Sequence, residues 1–164
     1  MTPTTTAVPL PALARALIAG AGIMSLANSV AIPFLAVFLR KDVGLEPGLI
    51  GFIIGSSVFF SIFAGFVGGS LSDVLGRARL LLISLLGVIG SFIGLYLTYS
   101  ATTVFVFNAT LALSSGVFAP VSKALLGDLL PRERRAKTFT YQYVATNIGY
   151  AIGPVAGATV GLAG

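Results

Sequence analysis

The chain has 164 residues, 56% of them hydrophobic and only 9% charged, with a formal net charge of +5. Soluble domains carry about a quarter charged residues, so this composition excludes a water-soluble fold and places the chain in a membrane. There is no cysteine, no histidine and a total of five acids, which excludes disulfides and thiol chemistry and leaves no metal site to predict. The basic residues lie between apolar runs, where membrane orientation puts them, so the positive charge is not read as a nucleic-acid surface.

The elements follow from the uncharged runs. Residues Met1 to Pro11 (MTPTTTAVPLP) read as a short flexible lead, and 12–164 as a membrane domain. Ala16 to Leu39 is free of charge for 24 residues and Pro47 to Ser72 for 26. Leu80 to Ser122 is free of charge for 43 residues and Thr138 to Gly164 for 27. A helix needs about 20 residues to cross roughly 30 Å of hydrocarbon. The third run therefore holds two spans, parted at the polar stretch Thr98 to Thr103. The expected architecture is all-α: a polytopic bundle with transmembrane helices near 12–39, 47–72, 78–98, 103–128 and 138–162. Continuous apolar runs, instead of ten-residue alternating segments, argue against a β-barrel. The first run is longer than a signal core and no basic side chain precedes Arg15, so it is kept as a true span.

With five spans, the N-terminus and the second and fourth loops share one side. That side holds Arg15, Arg77, Arg79, Lys123, Arg132, Arg134, Arg135 and Lys137, and the other holds only Arg40 and Lys41. Eight against two predicts a cytoplasmic N-terminus in a multi-pass protein of the cell membrane.

The stretch GGSLSDVLGRARLL, Gly68 to Leu81, breaks the apolar pattern with an acid and two arginines. A positive-inside turn explains Arg77 and Arg79 but not Asp73, because an acid beside hydrocarbon needs a partner. Arg77 is four residues away, and Gly76 lets the backbone turn between them. Gly69, Leu71, Asp73, Gly76, Arg77 and Arg79, as G-x-L-S-D-x-x-G-R-x-R, resemble the signature loop between helices two and three of the major facilitator superfamily. The resemblance implies a latch at the cytoplasmic gate, with Arg77 reaching an acid at the end of helix four; Asp128, in LLGDLLP, stands there. Val74 and Ala78 depart from positions that are often basic in the family.

In the fifth run, Gly149, Gly153, Gly157 and Gly161 recur every four residues. On a helix they make a slowly winding groove that lets a neighbour approach closely, and Pro154 should bend it. Gly149, Gly153, Pro154 and Gly157 also resemble the helix-five motif of the superfamily's exporter branches, with Ala158 in place of a last glycine. The region from Ala124 to Pro154 looks like drug-efflux members. By resemblance, the chain is the N-terminal part of a secondary active exporter of small hydrophobic or amphiphilic compounds, working by alternating access.

No acid lies mid-span, and the position where many proton-driven exporters have an arginine in helix four is Ala112, four residues before Gly116. Intramembrane charge costs roughly 2.5–3.5 kcal/mol on insertion scales and is kept for function. If transport is proton-driven, Asp73 and Asp128 titrate or the coupling acid lies in another part of the transporter. The mid-membrane polar groups are neutral. Asn28, Phe34, Gln142, Tyr143, Asn147 and Tyr150 are candidates to line a substrate cavity. For each, the alternative is an interhelical contact, worth about 1 kcal/mol or less for a hydrogen bond.

The family fold has twelve helices in two halves, so the resemblance implies that the sequence stops before helix six and is inactive alone. The implied partners are the lipid bilayer, a small-molecule substrate, the second half of the transporter and a proton gradient; no cofactor is implied. A non-transporting assembly or sensor protein that keeps the fold is the competing reading. A membrane enzyme is disfavoured because no nucleophile–base pair or metal cluster is present.

Overall fold

The computed structural model describes residues 9–162, and the side-chain surroundings of those up to residue 159. Most of the expected N-terminal lead, the surroundings of Gly161 and the last two residues lie outside that range. Five helices account for nearly all the described residues: α1 (Ala12–Lys41), α2 (Pro47–Leu75), α3 (Arg77–Leu97), α4 (Ala101–Asp128) and α5 (Arg132–Leu162). Among the described residues there is no strand. The chain is an all-helical bundle of the expected kind.

Local chemistry sets each boundary. After α1, the Leu45 amide donates to the Leu39 carbonyl at 2.9 Å, and Gly44 adopts the left-handed φ of 74° that the turn requires. Glu46 is extended and Pro47 opens α2, where its missing N–H costs nothing. Pro131 separates α4 from α5. Between α2 and α3 the link is a single residue, Gly76, which ends one helix and begins the next. Its φ of 88° and ψ of 131° are open to glycine and strained for other residues.

Two boundaries differ from the sequence expectation by three residues or more. Helix α5 begins at Arg132, six residues before the expected 138, because a run of arginine, glutamate, alanine and lysine favours helix once it leaves hydrocarbon. Helix α2 likewise continues through Asp73 to Leu75. Four of the helices, α1 to α4, are long and apolar enough to cross a membrane. Helix α5 has the length, but its charged first turns and its Thr, Gln and Asn residues lower its hydropathy.

Sequence neighbours are mostly not the main packing partners. Helix α1 packs along α5, and α4 packs against both α2 and α3, while α1–α2, α2–α3 and α4–α5 touch only locally. One apolar cluster joins Ala14 and Leu17 of α1, Leu80 and Leu81 of α3, and Val121 and Leu126 of α4. At the other end Leu39, Ile50, Ile53 and Val104 form a second cluster. The outward faces keep large apolar side chains exposed, Phe66 at 85% and Phe59 at 70% among them. Such faces are stable only against lipid or another apolar surface. The chain is a multi-pass membrane protein.

The α1–α5 seam is close because glycine and serine line it. A Cβ at Gly149 would run into the Gly22 carbonyl and the Ser25 hydroxyl, and one at Gly153 into Ser29. The same serines bond across: Ser25 Oγ donates to the Thr146 carbonyl at 2.8 Å, and Ser29 Oγ to the Gly149 carbonyl at 3.2 Å. Small residues thus bring two backbones together and hydroxyls satisfy the exposed carbonyls.

Candidate functional site

Two features form the candidate site: an ionic bridge at one end of the bundle and a cavity within it. The bridge grows from the single-residue link. Gly76 places Arg77 at the start of α3, one turn past Asp73 at the end of α2. The Arg77 guanidinium donates to the Asp128 carboxylate and, at 3.1 Å, to the Ala124 carbonyl on α4. Its second terminal nitrogen lies 3.5 Å from Asp73. Arg77 is therefore held between two carboxylates from two helices, and it ties α2, α3 and α4 together at one level. Arg79, Leu71 and Gly69 take no part in this bridge and are exposed. No atom would lie within 4 Å of a Cβ at Gly69, so this face of α2 is open for a further helix.

The same end of the bundle collects Arg15, Arg79 and the α5 cations, because α1 begins, α2 and α3 meet, and α4 and α5 meet there. Arg135 Nε donates to the Leu130 carbonyl at 3.0 Å, and the Lys137 ammonium sits 5.9 Å from the Tyr141 ring centroid. Arg40, Lys41, Asp42 and Glu46 lie at the opposite end, near the Phe38–Tyr99 ring contact.

The cavity has a volume of about 600 Å³ and is lined from α1, α2, α4 and α5. Its walls are mainly apolar, with Met24, Ile54, Leu111 and Phe118 among them. Val58, Ile62 and Tyr150 line it and are also exposed, so it is a cleft open along one side. One face of α4 supplies Asn108, Ala112, Ser115, Ala119, Ser122 and Lys123, spaced three, four or seven residues apart except for the final pair.

Three of the six expected cavity residues line it: Asn28, Gln142 and Tyr150. Asn28 Nδ2 donates to the Met24 carbonyl of its own helix at 2.9 Å. Gln142 is 2% exposed and bonds Ser122 Oγ at 2.8 Å through Nε2. The other three stand elsewhere. Phe34 packs at Gly157 in the α1–α5 seam, where its ring occupies the space a Cβ would take. Tyr143 is 69% exposed and Asn147 is exposed, its Nδ2 bonded to the Tyr143 carbonyl at 2.8 Å. Neither lines the cavity, to which α5 contributes Gln142, Thr146 and Tyr150.

Sequence reasoning missed Asn108, the polar centre of the α2–α4 contact. Its Nδ2 donates to the Ile53 carbonyl at 2.8 Å and to Ser57 Oγ at 2.5 Å, and the residue is 6% exposed. An asparagine deep in an apolar run was the available signal, as for Asn28. Lys123 was read as an orienting charge, yet it lines the cavity. The described residues contain no group of three or more His, Cys, Asp or Glu able to hold a metal.

Comparison with known proteins places this geometry. The sequence profile of the Major Facilitator Superfamily matches residues 17–164. An uncharacterized MFS-type transporter, YqjV of Bacillus subtilis, is 38% identical over 132 residues, covering 80% of this chain and 32% of that protein. A Na(+), Li(+), K(+)/H(+) antiporter of Planococcus maritimus is 29% identical, over 78% of this chain and 31% of its own length. The quinolone resistance protein NorA of Staphylococcus aureus is 27% identical, over 75% of this chain and 31% of its own. The matched part spans about a third of each of these relatives.

Proposed function

The chain belongs to the Major Facilitator Superfamily, and from that premise we propose that it forms the N-terminal part of a secondary active exporter of small hydrophobic or amphiphilic compounds. The observation that carries this reading is the cleft itself. It is apolar, edged by amides and hydroxyls, and built from four helices instead of from one local turn. Such a surface suits a solute with a large apolar body and a few hydrogen-bonding groups. The relatives support the class: one is named for quinolone resistance and another for exchanging cations against protons.

The basic end of the bundle faces the cytoplasm of the cell membrane, with the N-terminus on that side. There the Asp73–Arg77–Asp128 bridge is a gate element. It holds the cytoplasmic ends of α2, α3 and α4 together in one state and releases them in the other. Alternating access rocks this part against a second half around a site between them, and the Gly149–Gly153–Gly157 seam keeps α1 and α5 moving as a pair. A proton gradient drives the cycle.

The test is an efflux assay on the full-length transporter in cells that lack their own drug pumps, across a panel of dyes and antibiotics. Energy-dependent loss of at least one amphiphile, abolished by a protonophore, is the expected result. Unchanged retention of every compound would contradict the reading.

A further inference from the structure

The cleft holds two buried polar atoms without a partner and one exposed, unpaired cation. Gln142 is buried, and its Oε1 accepts no hydrogen bond although its Nε2 is engaged. Ser115 Oγ is buried without a partner. Lys123 lies eight residues beyond Ser115, on the same lining face of α4. Among the described residues no hydrogen bond or ion pair engages its ammonium. A buried acceptor without a donor is costly unless a ligand completes it, and Lys123, which is exposed, offers an unpaired cation at the edge of the same cleft.

The charge balance of the cleft is one-sided. Among the described residues no carboxylate lines it. Asp73 and Asp128 are occupied by Arg77 at the end of the bundle, Glu133 stands in the first turn of α5 outside the lining, and Asp42 and Glu46 lie at the far end. Lys123 stands five residues before Asp128, about 7.5 Å deeper along the helix axis. A cationic solute would meet an unpaired like charge and gain no counter-ion from this part of the transporter. An anionic solute would complete one.

We infer that the cleft selects amphiphiles that carry an anionic group together with an N–H or O–H donor. The inference rests on the transport reading and narrows it to a substrate class. The anion, a carboxylate or sulfonate, pairs with the Lys123 ammonium. The donor bonds Gln142 Oε1, with Ser115 Oγ beside it in the wall. The apolar body packs on Met24, Ile54, Leu111 and Phe118. Two fixed polar anchors on neighbouring helices, α4 and α5, then give orientation as well as affinity.

Three dansyl compounds test this on the full-length transporter in proteoliposomes: dansylglycine (anionic), its methyl ester (neutral) and dansylcadaverine (cationic). All three keep the sulfonamide N–H. The expected order of transport efficiency is anion, then ester, then cation. Lys123→Gln should raise KM for dansylglycine by roughly tenfold or more, as loss of a charge-assisted contact does, and leave the ester unchanged. Lys123→Arg should restore the anion, and Gln142→Leu should weaken all three. If dansylcadaverine is transported and dansylglycine is not, or if Lys123→Gln slows all three alike, the substrate class is wrong while the transport reading stands. If none of the three is transported or bound, both fall together.

Discussion

Arg77 reaches across from the first residue of α3 to Asp128 at the last residue of α4, and in the same pose stays within 3.5 Å of Asp73 on α2. One guanidinium thus spans three helix ends. Both carboxylates are more than half exposed, so the bridge adds little to stability, and in the proposed cycle its part is to set which state is populated. Asp128→Asn should therefore leave expression and the unfolding midpoint close to those of the parent while lowering the transport rate. The exchange Arg77→Asp with Asp128→Arg should recover part of that rate. Proteoliposome uptake of a dye beside thermal unfolding in detergent separates the two effects. A midpoint that falls as far as the rate would reduce the bridge to a structural tie.

Gly76 carries the turn that makes this bridge possible. At φ 88° an alanine is strained, and nothing lies near enough to a Cβ there for packing to contribute. Gly76→Ala should cost about 1–3 kcal/mol from backbone strain alone. Denaturant or heat unfolding in detergent would show it as a lowered midpoint. An unshifted midpoint would mean that the link takes another conformation.

The seam between α1 and α5 makes the opposite demand, for space. Gly149→Val should cost about 1–3 kcal/mol, because the added carbons meet the Gly22 carbonyl and the Leu26 amide of a backbone that cannot move aside easily. Gly90→Val is the control on an open face of α3 and should lower the unfolding midpoint much less. Equal losses at both positions would rule out the seam as the tight contact.

Asn108 should matter more than its single appearance in an apolar run suggests. Asn108→Ala removes bonds to Ile53 and Ser57 at once, and a loss of about 1–2 kcal/mol is expected. The Ile53 carbonyl keeps the Ser56 hydroxyl at 2.9 Å, so the loss stays moderate. Asn108→Asp should be worse, since it places a carboxylate against that carbonyl. The same unfolding measurement ranks the two variants.

The helices were readable because each span is an uncharged run of the length a bilayer demands, and the Asp73–Arg77–Asp128 bridge because its charges interrupt such runs. Helix rotation was not readable. When every face of a helix is apolar, periodicity does not say which side looks inward. Gln142 and its neighbour Tyr143 were therefore equal candidates, and only the packing of α5 on α1 and α4 turns one in and the other out. Phe34 misled for a related reason: its place opposite Gly157 depends on a partner helix more than a hundred residues away. The start of α5 was set too late because charge marks where hydrocarbon ends and not where a helix ends.

Sidedness decides whether the Asp73–Arg77–Asp128 bridge is a cytoplasmic gate, and a chain without cysteine makes it directly measurable. Single cysteines at Ser100, Arg79 and Lys137 should be probed in intact cells with a membrane-impermeant maleimide. The account predicts that Ser100→Cys reacts from outside, and that Arg79→Cys and Lys137→Cys react only after the membrane is opened. Labelling of position 79 or 137 from outside, with position 100 protected, would invert the bundle and contradict the account.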